Sequence, residues 1–363
     1  MKHNKRGRSA ASAHYFVIGL LALCALFFTI LIVILLVTKS SKDVPSDGSK
    51  EDQAIGVSQE TESEQNEPDI VEETEPEAAD ADERQDEVLS DSFAYRAPDR
   101  LYVHFIDVGQ GDATLFIQGD HTMLVDTGSA SSAAAASTRD LLKYLEELGV
   151  DHLDYLVLTH GHEDHVGRAM DVMQSFEIDQ LIADFGNAEG YVTNTMERAE
   201  HIGLKTMKPE GGEELPLGDA KVQILTGRVT TIPSSGDETT DVNNQSIGLR
   251  VTYGENSFLL YGDGESEYEK YLLASGYKLK SDVLKVPHHG FEASLSDEIL
   301  EKIHPKYAVI SSAKKSNFGF PSDATLQKLG LAEVATFCTN RLGNVVAVAD
   351  GNSITWSTND IGK

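Results

Sequence analysis

The chain of 363 residues carries 59 acidic against 30 basic side chains, a formal net charge of −29, and only 2 cysteines. That balance argues against a tight nonspecific grip on a polyanion, which needs clustered Lys and Arg. The cysteines exclude a disulfide scaffold, because Cys24 falls in an apolar run and Cys338 stands alone in the rest of the chain.

Residues 1–14 are a basic N-terminus with Lys2, Lys5, Arg6 and Arg8. Residues 15–37 are apolar, small or aromatic throughout except for Thr29. A helix of that length spans the roughly 30 Å hydrocarbon core with some tilt. The basic flank places the N-terminus in the cytoplasm and everything beyond residue 37 outside the plasma membrane, as a single-pass protein. A cleaved signal peptide fits less well, since the run is too long and no Ala-x-Ala site follows. A lipoprotein reading through Leu21-Ala22-Leu23-Cys24 fails because the apolar run continues past Cys24.

Residues 38–94 form an acidic linker: between 43 and 91 there are 19 acidic residues against Lys50 and Arg84, with almost no aromatics. Such a segment buries too little apolar surface to offset its ordering entropy and is expected to be a disordered, self-repelling stalk. Residues 95–363, with 22 basic and 40 acidic side chains, are enough for one large single-core domain.

Within that domain, strands are expected at 101–108, 113–117 and 122–125, from alternation broken by Gly and Asp. Leu141, Leu142, Leu145 and Leu148 are spaced for a helix over 137–148, stopped by Gly149. Then come a strand at 155–158, a helix at 166–174, a strand at 180–183 and a helix at 192–201. Strands follow at 221–225, 247–253 and 257–261, then a helix at 265–275 and a strand at 283–286. Strands first, then mixed elements, then strands again imply two sheets with helices outside.

Directly after the strand at 155–158 comes Thr159-His160-Gly161-His162-Glu163-Asp164-His165. In an extended loop His160 and His162 point the same way, while Asp164 and His165 turn toward a neighbouring position. Imidazoles and a carboxylate suit Zn2+ or Mn2+, and so dense a cluster can feed two ions. Asp126-Thr127-Gly128 also reads like an aspartic protease triplet, but that chemistry needs a second such triplet, and there is none. Hydrogen bonding to the ligand loop is the expected role of Asp126. Gly109 and Gly111 bracket a tight turn. Gly290 is expected to let the backbone pass close to the metal centre. His104 in a strand, His121 at a turn and His201 at a helix end are expected to be structural or surface residues.

The motif His-x-His-x-Asp-His resembles the first metal motif of the metallo-β-lactamase superfamily. Four more segments, in order, resemble the extracellular hydrolase domain of the ComEC/Rec2 competence proteins. They are Asp107-Val108-Gly109-Gln110-Gly111-Asp112-Ala113, Asp126-Thr127-Gly128, Tyr261-Gly262-Asp263-Gly264 and Val286-Pro287-His288-His289-Gly290. The resemblance covers the domain from Leu101 onward. It implies an α/β, four-layer αββα sandwich, preceded here by a transmembrane helix and a disordered acidic linker.

The same resemblance implies a site. His160 and His162 bind a first metal, Asp164, His165 and His289 a second, and Asp263 bridges both. The metal is zinc, as one or two ions, or manganese. His288 faces substrate or supports a ligand, with the roles of His288 and His289 interchangeable on sequence alone. Asp164 and His288 are the catalytic pair, and Asp107 and Asp126 support the ligands. The implied chemistry is attack by metal-bound hydroxide on a phosphodiester or phosphomonoester.

Three departures stand out. Many superfamily members have a further histidine as third ligand to the first metal. Here the only candidate by residue type is His201, in a helix, and Asp241-Val242-Asn243-Asn244-Gln245-Ser246 precedes the strand instead. Asn243 and Asn244 are thus candidates for a weak first-site ligand or a substrate contact. Where the competence branch often carries His-Pro, this chain has Phe318-Gly319-Phe320-Pro321; conversely, His162 is intact where many relatives have Asp. With a single apolar span expected, the chain cannot itself be a translocation channel.

The first functional reading is a surface phosphoesterase or nuclease. The second is an esterase for a cell-wall polymer or phosphocholine decoration, toward which the acidic domain leans. The third is a metal-stabilised binding module without turnover. No protein partner is identifiable from the sequence.

Overall fold

The computed structural model describes residues 97–130, 140–185, 191–226, 232–316 and 318–358, all within the compact unit Pro76–Lys363. The expected membrane helix and acidic linker lie outside the described residues, as does the start of the helix expected from residue 137. No described helix is long and apolar enough to cross a membrane.

The chain runs through β1 (Leu101–Phe105), β2 (Thr114–Gln118), β3 (His121–Val125), β4 (His152–Val157), β5 (Glu177–Ile182) and β6 (Thr206–Met207). It then builds β7 (Glu214–Leu217), β8 (Ala220–Ile224), β9 (Leu249–Tyr253), β10 (Asn256–Leu260), β11 (Val283–Lys285), β12 (Tyr307–Ile310) and β13 (Ala335–Cys338). Finally, β14 (Val345–Ala349) and β15 (Ile354–Ser357) return to the first group. One sheet has the order β15-β14-β1-β2-β3-β4-β5-β6 and the other β13-β12-β11-β10-β9-β8-β7. The described helices are α1 (Leu141–Glu147), α2 (Glu163–Val166), α3 (Ala169–Ser175), α4 (Tyr191–His201), α5 (Glu238–Asn243), α6 (Ser266–Ala274), α7 (Asp297–Ile303), α8 (Asp323–Leu331) and α9 (Thr339–Leu342).

Side-chain alternation sorts these elements into layers, because successive strand residues face opposite sides of a sheet. In β1, Leu101, Val103 and Phe105 face the second sheet and join Val222, Val251 and Phe258 in a core between the sheets. Tyr102, on the other face of β1, packs with Leu141, Tyr144 and Leu145 of α1 and with Val172 of α3. On the far side of the second sheet, Leu259, Leu284 and Ile310 pack against Tyr268, Leu272, Ile299 and Leu329 of α6, α7 and α8. Three apolar layers between four layers of structure make the αββα sandwich. Phe116 and Phe258 meet edge to face across the middle layer, their centroids 6.2 Å apart, a contact worth about 0.5–1.5 kcal/mol beyond the area it buries.

Register then brings the chemistry together. β3 runs parallel to β4, and β10, β11 and β12 run parallel to one another. The segments after Val125 and Val157 therefore leave one end of the first sheet, and those after Leu260, Lys285 and Ile310 one end of the second. Two backbone bonds join the loops: Ile247 N donates to Thr159 O at 2.9 Å, and Asp112 N to Asp164 O at 3.1 Å.

Candidate metal centre

The loop after β4 carries His160, His162, Asp164 and His165, and its conformation is set by neighbours rather than by the loop itself. Asp126, directly after β3, sits at φ 60, a left-handed position that Asp tolerates better than most residues. From there its Oδ1 accepts from Thr159 N, its Oδ2 accepts from Thr159 Oγ1, and Oδ2 lies 2.8 Å from His165 Nδ1 (all three distances 2.8 Å). Glu163 accepts from Ser129 Oγ at 2.8 Å and from Ala130 N at 2.7 Å, tying the start of α2 to the loop after β3. Gly111 is required where it stands: φ is 137, and a Cβ would come 2.3 Å from the Asp164 carbonyl oxygen. A side chain at Gly290 would strike Pro321 at 2.7 Å, so that glycine serves the approach of a neighbouring loop and not closeness to the metal centre.

Asp263, just past β10, stands in the middle of the imidazoles. Its Oδ1 lies 3.2 Å from His165 Nε2, and its Oδ2 lies 3.9 Å from His160 Nε2, 3.6 Å from His289 Nε2 and 3.8 Å from His288 Nε2. His289 Nε2 also lies 3.1 Å from Asp164 Oδ2. Three clusters that share His165 thus offer ligand atoms within 4.8 Å of one another: His160, His165 and Asp263; Asp164, His165 and His289; and Asp112, Asp126 and His165. His162 stacks edge-on beside His160, with its Nδ1 3.1 Å from His160 Nε2, but joins none of the three.

The donor set fits a divalent cation. His165 Nε2 and Asp263 Oδ1 face each other, buried, yet neither is satisfied by a hydrogen bond; a cation shared between them removes the cost of two buried polar atoms left unpaired. Nitrogen and carboxylate oxygen donors together suit Zn2+ or Mn2+.

Burial alone lowers the basicity of His165 and His289, but carboxylates outweigh it at both. Asp263 and Asp126 hold His165 well above its usual range, and Asp263 and Asp112 push His289 up to about 10. His160 goes the other way, lowered by burial and by the neighbouring His165. Burial raises the Asp263 carboxyl, but His165 and His289 hold it well below the usual range.

His288 and His289 both occupy the left-handed region, φ 48 and 54, a strain of about 1–3 kcal/mol each. The bonds His288 N to Gly262 O at 3.2 Å and Phe291 N to His288 O at 2.8 Å hold that shape. The turn splits the pair. His289 points into the cluster, its Nδ1 3.1 Å from Ser311 O. His288 stands at the edge, its Nδ1 3.3 Å from Ser294 Oγ and 3.5 Å from Glu265 Oε1.

Two further segments flank the centre. Asp107 binds Gly109 N at 3.2 Å through its carboxylate and Asn344 Oδ1 at 2.7 Å through its backbone. The supporting acid from that motif is Asp112, whose Oδ1 is 3.4 Å from His289 Nδ1 and whose Oδ2 takes a 2.8 Å bond from Lys285 Nζ, both groups buried. Asn243 and Asn244 bond Glu265 at the edge of the centre: Asn243 Nδ2 donates to Glu265 Oε1 at 2.8 Å, and Asn244 Oδ1 accepts from Glu265 N at 3.0 Å, while Asn243 Oδ1 is buried without a hydrogen-bond partner. The residue from that segment nearest the histidines is Ser246, with Oγ 3.4 Å from His160 Nδ1 and accepting from Asp263 N at 3.0 Å. Sequence reasoning missed Asp112, Lys285, Ser246 and Glu265; Asp112 and Ser246 fall inside quoted motifs and carried that much signal.

His104 is buried against Tyr144, His121 is half-exposed on Asp154 and His201 is exposed at the end of α4. None of the three joins the centre. A separate cavity of about 700 Å³ between Leu300, His304, Lys328 and Leu331 lies on the outer helices and includes none of the centre's residues.

A two-sheet sandwich with a histidine and aspartate cluster at its strand ends defines a metal-dependent hydrolase fold, and residues 106–314 match the sequence profile of the metallo-beta-lactamase superfamily. The chain belongs to that superfamily. Among its relatives, ComE operon protein 3 of Bacillus subtilis is 29% identical over 258 residues, covering 67% of this chain and 32% of the relative. Recombination protein 2 of Haemophilus influenzae is 30% identical over 227 residues, covering 62% of this chain and 26% of the relative. The chain thus spans a third or less of the length of these relatives. Among solved structures, the metallo-beta-lactamase fold protein YhfI from Bacillus subtilis aligns with a TM-score of 0.46 at 15% identity, covering 69% of this chain and 100% of that one.

Proposed function

We propose that this protein is a phosphoesterase, acting on phosphodiester bonds such as those of nucleic acid, whose catalytic domain lies outside the cell on a single N-terminal membrane helix. The observation that carries the chemistry is the position of Asp263, ringed by His160, His165, His288 and His289 with Asp164 alongside. His160, His162, Asp164, His165, Asp263 and His289 would hold one or two ions, zinc or manganese. A divalent cation supplies Lewis acidity toward a phosphoryl oxygen and makes water acidic enough to attack near neutral pH.

The chain's own residues do the rest. Asp126 fixes the ring orientation of His165 through Nδ1, and the Ser311 carbonyl, with the Asp112 carboxylate 3.4 Å away, fixes that of His289, leaving Nε2 of both rings to face the centre. Ser246 holds the Asp263 backbone in place. His288 has Nδ1 beside Ser294 Oγ at 3.3 Å and Glu265 Oε1 at 3.5 Å, which leaves Nε2, 3.8 Å from Asp263 Oδ2, as the nitrogen to exchange a proton with water or the leaving oxygen.

The full-length chain in detergent, loaded separately with Zn2+ and Mn2+, is expected to hydrolyse bis-p-nitrophenyl phosphate. Asp164→Ala abolishes that activity, His288→Ala lowers it about 10–100-fold and His104→Ala leaves it intact. Asp164→Ala protein as active as the parent on every ester sinks the reading and leaves a metal-stabilised binding module. The membrane placement rests on the apolar run at 15–37 behind four basic residues. It is tested by protease added to intact cells, which should cut between residues 43 and 91 and release the domain.

A further inference from the structure

The loop that leaves β12 begins and ends against the strained histidine pair. Ser311 O bonds His289 Nδ1 at 3.1 Å, and eleven residues later Ser322 N donates to Gly290 O at 3.0 Å. Both ends of this loop are therefore held beside the metal centre. Its described residues include Lys314 and Lys315, both exposed, and Phe318 and Phe320. Neither lysine forms an ion pair with a described residue, in a domain where acids outnumber bases.

Phe320 packs on His288 and His289, at centroid separations of 5.5 and 6.2 Å, and on Phe291 at 5.7 Å. Phe318 lies nearly parallel over Phe320, 5.6 Å away with an interplanar angle of 20°, and is 71% exposed. A single exposed apolar side chain needs no explanation. An exposed phenyl stacked on a second, which itself meets the His288 ring edge to face and lies tilted beside His289, is a continuous aromatic surface running from solvent to the centre.

We propose that Phe318 and Phe320, with Lys314 and Lys315 on the same loop, form a stacking shelf for a base of single-stranded nucleic acid, holding the adjoining phosphodiester at His288 and the metal centre. The inference rests on the phosphodiesterase reading of that centre and adds to it the group that is recognised. Flat phenyl faces accept any base, and paired lysines follow a phosphate backbone; the two together are how single strands are held without sequence preference. A quaternary ammonium headgroup also packs on aromatic rings, but two unneutralised lysines on the same loop repel it. The lysines likewise offset, at this one place, the acidity of the domain that opposes a polyanion elsewhere.

The test is fluorescence anisotropy with labelled oligothymidylate and with the same oligomer made abasic. It uses the metal-loaded chain in detergent, and both strands carry phosphorothioate linkages that resist hydrolysis. The parent is expected to bind oligothymidylate at least about 10-fold more tightly than the abasic strand, within the range of one stacked base. Phe318→Ala should erase that difference, and Phe318→Trp should restore it. Replacing both lysines by Ala should weaken both strands equally and flatten the salt dependence. Equal binding of the two strands by the parent overturns the shelf, as does unchanged discrimination in Phe318→Ala. Tighter binding of a phosphocholine ester once the lysines are removed also overturns it and assigns the aromatics to a cation. Base discrimination in a protein that hydrolyses no phosphoester upholds the shelf and sinks the phosphodiesterase reading alone. Hydrolysis of unmodified oligonucleotide and abasic strand at equal kcat/KM sinks the shelf alone.

Discussion

Asp126 and His165 come from loops after adjacent parallel strands, and the Asp126 carboxylate lies 2.8 Å from His165 Nδ1 with both residues buried. The contact decides which imidazole nitrogen faces the centre and makes that nitrogen a stronger donor to a cation. Asp126→Asn keeps the shape and tolerates φ 60, but removes the charge. Metal affinity is expected to fall about 10–100-fold, measured by titration against a chromophoric chelator, while the metal-free protein unfolds at nearly the same denaturant concentration. Unchanged affinity would show that His165 is oriented by the fold alone.

Metal removal should cost stability as well as activity, because the centre gathers the carboxylates of Asp112, Asp126, Asp164 and Asp263 around histidines and one buried lysine. A cation present at 100 times its dissociation constant stabilises the folded chain by about 2.7 kcal/mol, a Tm increase of several degrees for a domain of this size. Added Zn2+ or Mn2+ is expected to raise the Tm of EDTA-treated protein by that amount. Asp263→Ala should lose most of the increase, since it removes the carboxylate common to four imidazoles. An unmoved Tm in the parent contradicts a resident metal.

His104 gives a pH signature unconnected with the centre. Burial in β1 against Tyr144 lowers its pKa from 6.5 to about 3. The folded chain therefore refuses a proton that the unfolded chain accepts below pH 6.5. The contribution of neutral His104 is complete above that pH and falls by about 1.4 kcal/mol per unit as pH drops toward 3. His104→Asn is expected to be less stable at neutral pH, because a cavity remains. Its stability should then decline less steeply between pH 6.5 and 4 in urea titrations of the metal-free chain. Parallel profiles for parent and variant would mean that His104 is protonated in the folded state.

The sequence carried the ligand loop openly. Its histidines and aspartate stand next to one another in the chain, behind an apolar strand, so their spacing alone implied a shared site. The strands were legible for a similar reason: period-2 alternation reflects faces buried by near neighbours, as in Leu101, Val103 and Phe105. Long-range pairings were not legible. Asp112 and Lys285 are 173 residues apart, and nothing in either segment says which of 59 acids the lysine will meet. Asp112 was not singled out beside Asp107 for this reason. Glu238–Asn243 was not anticipated as a helix because its sequence, Glu-Thr-Thr-Asp-Val-Asn, has no apolar period; Asp237 caps it by accepting from Thr240 N at 2.9 Å. Asn243 and Asn244 were candidates for the centre by position; both bond Glu265, and Ser246 Oγ, which the sequence did not single out, lies 3.4 Å from His160 Nδ1.

The Asp112–Lys285 pair supports the last prediction. Both side chains are almost fully buried, 6% and 3% exposed, and 2.8 Å apart. Burial raises the Asp112 carboxyl, but Lys285 first and His289 second hold it far below the usual range. Breaking such a pair strands a charge, so Lys285→Met and Asp112→Asn should each destabilise the chain by about 3–5 kcal/mol. The double variant removes both charges and is expected to recover most of that loss. Stability and function then part company: the double variant has no carboxylate 3.4 Å from His289 Nδ1, so His289 becomes a weaker donor. Urea unfolding of the metal-free chains should return near parental stability for the double variant, while metal affinity stays about 10–100-fold reduced. A double variant that recovers affinity together with stability would reduce the pair to a structural ion bridge. One that recovers neither would mean that the two single losses arise at separate places in the fold.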